Sequence, residues 1–246
     1  MFALAIFIIA FISSFLGLLV PGVASALSVS SLILLWIPVQ LSKTTYQLGN
    51  IGINIWALVP LLKTQKLRKD LIYPLILIAL LWGYIGWRIL INIPNSILLK
   101  LTGAFMILLL LINIFSHSLG VISEEISKKR KVIGFISYFI LNIFFAIFPM
   151  GTGVLFQFSH TFFFRITNLE SRLMWCFLTT PFIIGFIFPV IESGIYNLIY
   201  ALIFGFGGYL GGYLWAYSGI KLGNVWIRKI LMFWLFCLWI YFLIFA

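Results

Sequence analysis

Apolar residues run through this chain in blocks, and the polar residues fall mostly in the gaps between them. Five apolar segments can be read before residue 116, at 1–20, 22–38, 44–62, 71–91 and 96–115. Five more follow residue 131, at 132–149, 152–167, 172–189, 194–216 and 223–245. Their lengths approach the ~20 residues that carry a helix across a bilayer core, which predicts an all-α polytopic membrane protein. The clearly polar stretch 116–131 separates the two sets and holds Glu124, Glu125 and the run Lys128-Lys129-Arg130-Lys131.

Displaced by 128 residues (149 − 21), the chain lines up with itself. Pro21 falls on Pro149, Gln40 on Asn168, Leu41 on Leu169, Gly83 on Gly211, Trp87 on Trp215 and Lys100 on Arg228. This pattern predicts a first transmembrane repeat over 1–115, a basic cytoplasmic linker over 116–131 and a second repeat over 132–246. Each repeat opens with a helix breaker. Residues 3–38 as one straight helix would reach roughly 54 Å, too long for a single span. Proline without an amide donor and permissive glycine put the break at Val20-Pro21-Gly22, and Phe148-Pro149-Met150-Gly151-Thr152-Gly153 repeats it. Each first pair of segments is then two short spans or a re-entrant hairpin of half-helices.

Composition narrows the class further. Of 246 residues 63% are apolar and 9% charged, against about 25% charged in a soluble domain. The net charge of +11 is scattered over short inter-segment gaps, the distribution of an orientation signal and not of a nucleic-acid-binding face. No Lys or Arg precedes Lys43, so the opening segment lacks the basic start of a cleaved signal peptide and reads as retained. Cys176 and Cys237 stand in apolar runs without a metal-ligand spacing and read as packing residues.

Loop charge orients the chain. With 63–69 and 116–131 in the cytoplasm and each first pair returning to its side of origin, the cations Lys63, Lys66, Arg68, Lys69, Lys128, Lys129, Arg130, Lys131, Arg165, Arg172, Lys221, Arg228 and Lys229 are all cytoplasmic. Only Lys43, Arg88 and Lys100 fall outside, 13 against 3; a single broken span per pair would move the last five of the longer set and leave 8 against 8. The positive-inside bias favours the first arrangement, in which the two repeats are inverted.

The breaks are the first candidate site, because an interrupted membrane helix exposes free amides and the positive end of a half-helix dipole, both of which attract an anion. Pro21, Gly22 and Ser25 lie at one break, and Pro149, Gly151, Thr152 and Gly153 at the other. Tolerated packing irregularity is the plainer alternative. The starts of the third segments are the second candidate, with Lys43, Thr44, Thr45, Tyr46, Gln47 and Asn50 in the first repeat and Arg172, Thr179 and Thr180 in the second. There Lys43 and Arg172 would offer charge at the mouths, or snorkel to the interface. His160 is a candidate proton relay, with a hydrogen-bonded packing role the favoured alternative. All five acids lie in or beside loops, and no metal-binding, phosphate-binding or hydrolase motif appears. The membrane interior therefore offers amides, hydroxyls and few cations, suited to an anion or a neutral solute and not to enzyme, metal or cofactor chemistry.

Several local patterns recur at matching points. They are the interruption Leu18-Leu19-Val20-Pro21-Gly22, the turn and hydroxyl-rich stretch from Trp36 to Thr45, and the basic entry Lys66-Leu67-Arg68-Lys69-Asp70-Leu71. Gly83 and Gly86 follow, then the turn at Ile93-Pro94 leading to Gly103. The whole resembles the TauE/SafE sulfite exporters, compact duplicated membrane proteins. That resemblance implies a secondary transporter moving a small sulfur-containing anion, such as sulfite or an organosulfonate, across the bacterial inner membrane by alternating access. A passive anion channel and a non-transporting scaffold are the rivals. The implied partners are the anionic solute and the lipid bilayer, with no nucleic acid, and association into a homo-oligomer is left open. Labelling of single cysteines checks the topology: residue 66 should react from the cytoplasm and residue 192 from outside, and reaction of both from one face overturns the inverted arrangement.

Overall fold

The computed structural model describes residues 2–17, 23–94, 97, 120, 123–147 and 153–245, and every structural statement below concerns these. They form helices and connections, without a strand. The order is α1 Phe2–Gly17, α2 Val23–Leu34, α3 Val39–Thr64, α4 Lys69–Leu90, α5 Lys128–Ile147, α6 Gly153–Phe163, α7 Asn168–Ser193 and α8 Leu198–Phe245. Gly223 interrupts α8 with φ 75° and ψ 171°, a conformation open to glycine and strained for other residues. By length and composition α4, α7 and the first part of α8, Leu198–Gly223, can each cross a membrane.

The described helices lie on either side of both anticipated breaks, α1 to Gly17 and α2 from Val23, and α5 to Ile147 and α6 from Gly153. Pro21, Gly22, Pro149, Gly151 and Thr152 lie outside the described residues. So does most of the segment expected at 96–115. At 12 and 11 residues, α2 and α6 reach only about 16–18 Å, roughly half a bilayer core. Each folds back on the helix before it. The Ser13 and Ser28 hydroxyls meet at 2.7 Å and Gly17 lies against Ala24, so α1 and α2 are antiparallel. Arg130 donates to the Phe162 carbonyl at 2.6 Å and Tyr138 meets Phe156 at 5.0 Å, so α5 and α6 are antiparallel too.

The third helices differ from expectation at their starts. The apolar pattern placed them at 44 and 172, whereas α3 begins at Val39 and α7 at Asn168. Both are 26 residues long. Pro38 precedes α3, and a capping box of Thr167 and Glu170 starts α7. Lys43 and Arg172 are thereby the fifth residues of their helices.

Contacts define how the helices run. Along α3 and α8, Gly52 lies against Gly205 and Trp56 meets Tyr209 edge-on at 5.0 Å, so the pair is parallel. Along α1 and α8, Phe2 meets Tyr200 and Phe7 meets Phe206, also parallel. Arg88 pairs with Glu192 where α4 and α7 end, and Trp87 donates to Ser193 at 3.3 Å, so these helices are parallel as well. The ends of α4 and α5 meet through Lys131 and Asp70 at 2.7 Å, with Trp82 against Phe139 further along. Thus α1, α3, α6 and α8 run one way, and α2, α4, α5 and α7 the other. Connection 65–68, segment 124–127 and connection 164–167 share one end; Arg88, Glu192 and Gly194 share the opposite one.

Two apolar cores result. One gathers Ile6 and Ala10 of α1, Val29 and Leu32 of α2, Ile53 and Leu61 of α3, and Phe204 and Trp215 of α8, with Leu155 of α6 and Leu169 and Leu173 of α7 joining it. The other gathers Leu71, Leu75 and Trp87 of α4, Tyr138 and Phe145 of α5, Phe156 of α6, Phe164 just after that helix, and Phe182 and Phe186 of α7. Glycines let backbones approach closely inside each. A Cβ on Gly83 would strike the Phe182 carbonyl, and one on Gly185 the Leu80 carbonyl. Gly83→Leu should therefore lower stability by at least about 1–3 kcal/mol, the scale of overpacking, whereas Leu77→Ala on the exposed face of α4 should cost far less. Thermal unfolding in detergent micelles measures both, and equal shifts would contradict the close α4–α7 crossing.

Candidate functional site

The inner faces of α3 and α7 carry polar groups where an apolar helix would carry Leu or Ile. On α3 the residues Lys43, Gln47, Asn50 and Asn54 recur at helical spacing on one stripe, and all are buried. On α7 the stripe is Asn168, Arg172, Cys176 and Thr179, also buried. The stripes meet where Arg172 Nη2 donates to Asn54 Oδ1 at 3.1 Å. Asn54 Nδ2 in turn donates to Asn50, to its Oδ1 at 2.8 Å and its carbonyl at 2.9 Å. Asn54 is thus oriented with its oxygen toward the guanidinium.

Arg172 is 4% exposed. Its guanidinium lies over the Trp215 ring at 5.8 Å, with Cys176 one turn on beside it. No carboxylate is buried with it: Asp70, Glu124, Glu125 and Glu192 are exposed, and Glu170 is partly exposed. Glu170 is committed to the cap, accepting from the Thr167 amide at 2.7 Å. Desolvating an ion costs several kcal/mol even after the protein relaxes. A hydrogen bond to a charged group returns about 1.5–3 kcal/mol and a desolvated cation–π contact about 2. These leave the positive charge itself uncompensated.

The neighbouring groups are mostly donors. Arg172 Nε, Asn50 Nδ2, Gln47 Nε2 and Trp215 Nε1 are buried and make no hydrogen bond within the protein, and the same holds for Gln47 Oε1 and Thr45 Oγ1. Buried donors without acceptors are expensive, and an anion supplies acceptors and countercharge together. Ser25 of α2 joins the same neighbourhood by hydrogen-bonding Tyr46, whose ring packs edge-on against Phe204.

The other anticipated residues sit as follows. Lys43 is 2% exposed with Nζ 5.2 Å from the centre of the Phe145 ring on α5. Both cations are buried within the protein, each helix beginning more than a turn earlier than the apolar pattern indicated. Thr44 is turned to its own helix, Oγ1 donating to the Leu41 carbonyl at 2.9 Å. Gly153 is the buried first residue of α6. His160 is fully buried, with Nδ1 3.0 Å from Ser171 Oγ and its ring stacked on Tyr138. Nearby, Gln157 donates to Asn168 Oδ1 at 2.7 Å and ties α6 to the start of α7. Asn54 and Trp215 escaped the sequence reading. The spacing 43-47-50-54 inside an apolar run carries the signal for Asn54; nothing local marks Trp215.

The polar seam and its uncompensated cation thus lie inside a chain of apolar helices. The family model for the sulfite exporter TauE/SafE matches residues 2–242. The chain belongs to the TauE/SafE family. Among curated proteins and solved structures nothing matches. Membership makes it a membrane transporter of the class that handles sulfite-type anions.

If Asn54 orients Arg172, Asn54→Leu should destabilise the folded protein by roughly 1–3 kcal/mol, the cost of a buried group left unpaired. Asn54→Asp, which places a carboxylate against the guanidinium, should retain more of the stability than Asn54→Leu. Unfolding midpoints of the purified variants decide it, and an Asn54→Leu protein as stable as the parent would remove Asn54 from this role.

Proposed function

We propose that this member of the TauE/SafE family is a multi-pass inner-membrane secondary transporter that moves a small sulfur oxyanion or organosulfonate by alternating access, with Arg172 as the anchor for the anion. The observation that carries the proposal is a buried guanidinium with no buried acid beside it, among amide and indole donors that lack acceptors. Lys43 adds a second buried cationic side chain as the fifth residue of α3, the place Arg172 holds in α7, one residue out of the 128-residue register. Both cations lie near the positive ends of their helices, where the backbone dipole disfavours a cation and favours an anion. The two short helices α2 and α6, each following a break, bring further amide ends toward the same region. Pro21, Gly22, Pro149, Gly151 and Thr152 would form those breaks, with Gly153 opening α6 and Ser25, one turn into α2, adding a hydroxyl.

The halves are inverted repeats in this reading. What supports it is direction: α1 runs opposite to α5, α2 to α6, α3 to α7 and α4 to α8. The packing also keeps its form when the halves are exchanged, since α3 on α8 becomes α7 on α4, and α1 on α8 becomes α5 on α4. The end holding Lys66, Lys128 and Arg165 would be cytoplasmic. His160 would serve as a hydrogen-bonded packing residue, its Nδ1 engaged with Ser171.

Flux in proteoliposomes tests the proposal against a panel of sulfite, small sulfonates and carboxylates. Uphill movement of a sulfur anion is expected, and simple equilibration down the gradient would instead indicate a channel. Arg172→Gln should raise the half-saturating anion concentration roughly 10- to 150-fold, the equivalent of the ~1.5–3 kcal/mol of a charged hydrogen bond. Arg172→Lys keeps the charge but not the planar fork, and should fall between. Unchanged flux in a folded Arg172→Gln protein would exclude the guanidinium as the anchor.

A further inference from the structure

The two apolar cores do not coincide with the two halves of the sequence. The core around Ile53 and Leu61 of α3 is completed by α8 of the second half, and also takes in Leu155 of α6 and Leu169 and Leu173 of α7. The core around Phe145 and Phe182 takes α4 from the first half. We infer that the mechanical bodies of this transporter are the exchanged bundles α1-α2-α3-α8 and α4-α5-α6-α7, so that α4 travels with the second repeat and α8 with the first. This rests on the alternating-access reading for its motion, though not for its packing.

Three kinds of contact bind α4 to the second half. Reciprocal glycine crossings bring the Gly83 and Gly185 backbones against the carbonyls of Phe182 and Leu80, a fit with no room to slide. Ion pairs close both ends, Asp70 with Lys131 at one and Arg88 with Glu192 at the other. A T-shaped contact of Trp87 with Phe186 at 5.1 Å fills the space near the second pair. On the other body, α8 is equally committed. A Cβ on Gly207 or Gly211 would press on the carbonyls of Phe7 or Phe11 of α1, and Gly208 lies against Ile53 of α3.

Between the bodies the character of the contact changes. The α3–α7 crossing carries the polar stripes and the hydrogen bond from Arg172 to Asn54, alongside Leu169 and Leu173 of α7, which join the core around Ile53. Packed apolar bodies move as units, whereas a polar seam can exchange its partners for water or solute at small cost. Two chain segments must then cross from body to body, 65–68 between α3 and α4 and 194–197 between α7 and α8. They lie at opposite ends of the bundle and at the same relative place in each half (194 − 65 = 129). Gly194 closes α7 with φ 65°, and its Cβ position is open, which suits a hinge.

Spin-label distances distinguish exchanged bundles from sequence halves. Nitroxide amino acids incorporated at exposed sites leave both native cysteines in place: Leu77 on α4 with Phe188 on α7, and Leu77 with Ile55 on α3. In nanodiscs, saturating sulfite should shift the Leu77–Ile55 distances by several ångströms while the Leu77–Phe188 distances hold. Movement of the second pair with the first fixed overturns the inference. Native-state hydrogen exchange without any anion supplies an independent readout. The amides of α4 should open with those of α5–α7, and those of α8 up to Gly223 with α1–α3. Opening of α4 together with α3, or of all helices as one unit, overturns it. If sulfite moves neither pair and drives no flux while exchange follows the bundles, the anion reading fails and the exchanged bundles stand.

Discussion

A guanidinium held away from water with no carboxylate beside it governs how the centre of this molecule is built. Arg172 could not be tolerated on an apolar helix face, so the helix opposite supplies Asn54, and Asn54 is itself held by Asn50. Trp215 closes over the charge from α8. Four elements of the chain thus contribute to accommodating one side chain, since Ser25 of α2 reaches the same place through Tyr46. The accommodation is deliberately one-sided in sign. A structural role for Arg172 alone would be met more cheaply by an acid on α3, or by a leucine in its own position. Donors clustered round a cation make sense for a centre that receives negative charge.

Lys43 shows how far α3 and α7 correspond around such a centre and where they differ. It occupies the fifth position of a 26-residue helix, as Arg172 does in α7. The surroundings have diverged: an aromatic face from Phe145 meets Lys43, whereas an amide and an indole meet Arg172. An ammonium is a compact point charge that an aromatic face can hold, while a planar guanidinium presents separate edges to separate partners. The division between Asn54 at one edge and unpartnered Nε at another follows from that shape. Two positive charges near the same helical end, differently held, give the interior an electrostatic bias with a chemically asymmetric anchor.

Helix content and the meeting of the two basic connections at one end of the bundle were legible from residue order, because each depends on local composition. The start of α3 was not. A reading based on apolar runs stops at the first polar residues, and Ser42, Lys43, Thr44 and Thr45 look like a solvated flank. They are buried because distant helices cover them: Lys43 packs on Phe145 of α5, and Ser42 and Thr44 turn their hydroxyls to the Ile37 and Leu41 carbonyls. The same limit applies to the packing of α4. Its glycines announce a close neighbour, yet the neighbour proves to be α7, and nothing between residues 69 and 90 names it.

Exchange of the fourth helix has a consequence for where a solute site can lie. Were each half a self-contained bundle, its inner polar stripe would need covering by its own fourth helix, and the halves would meet through their outer, apolar faces. With α4 and α8 traded, α3 and α7 are freed to face each other along their polar sides. The trade also makes each half depend on the other for its core, while Leu169 and Leu173 of α7 add apolar packing beside the polar seam. Stability then resides in the glycine crossings and aromatic clusters of the two bundles, and the seam keeps the chemistry of an anion's first contacts. Separation of those two demands allows the centre to remain polar, charged and weakly bridged while the molecule around it is densely apolar.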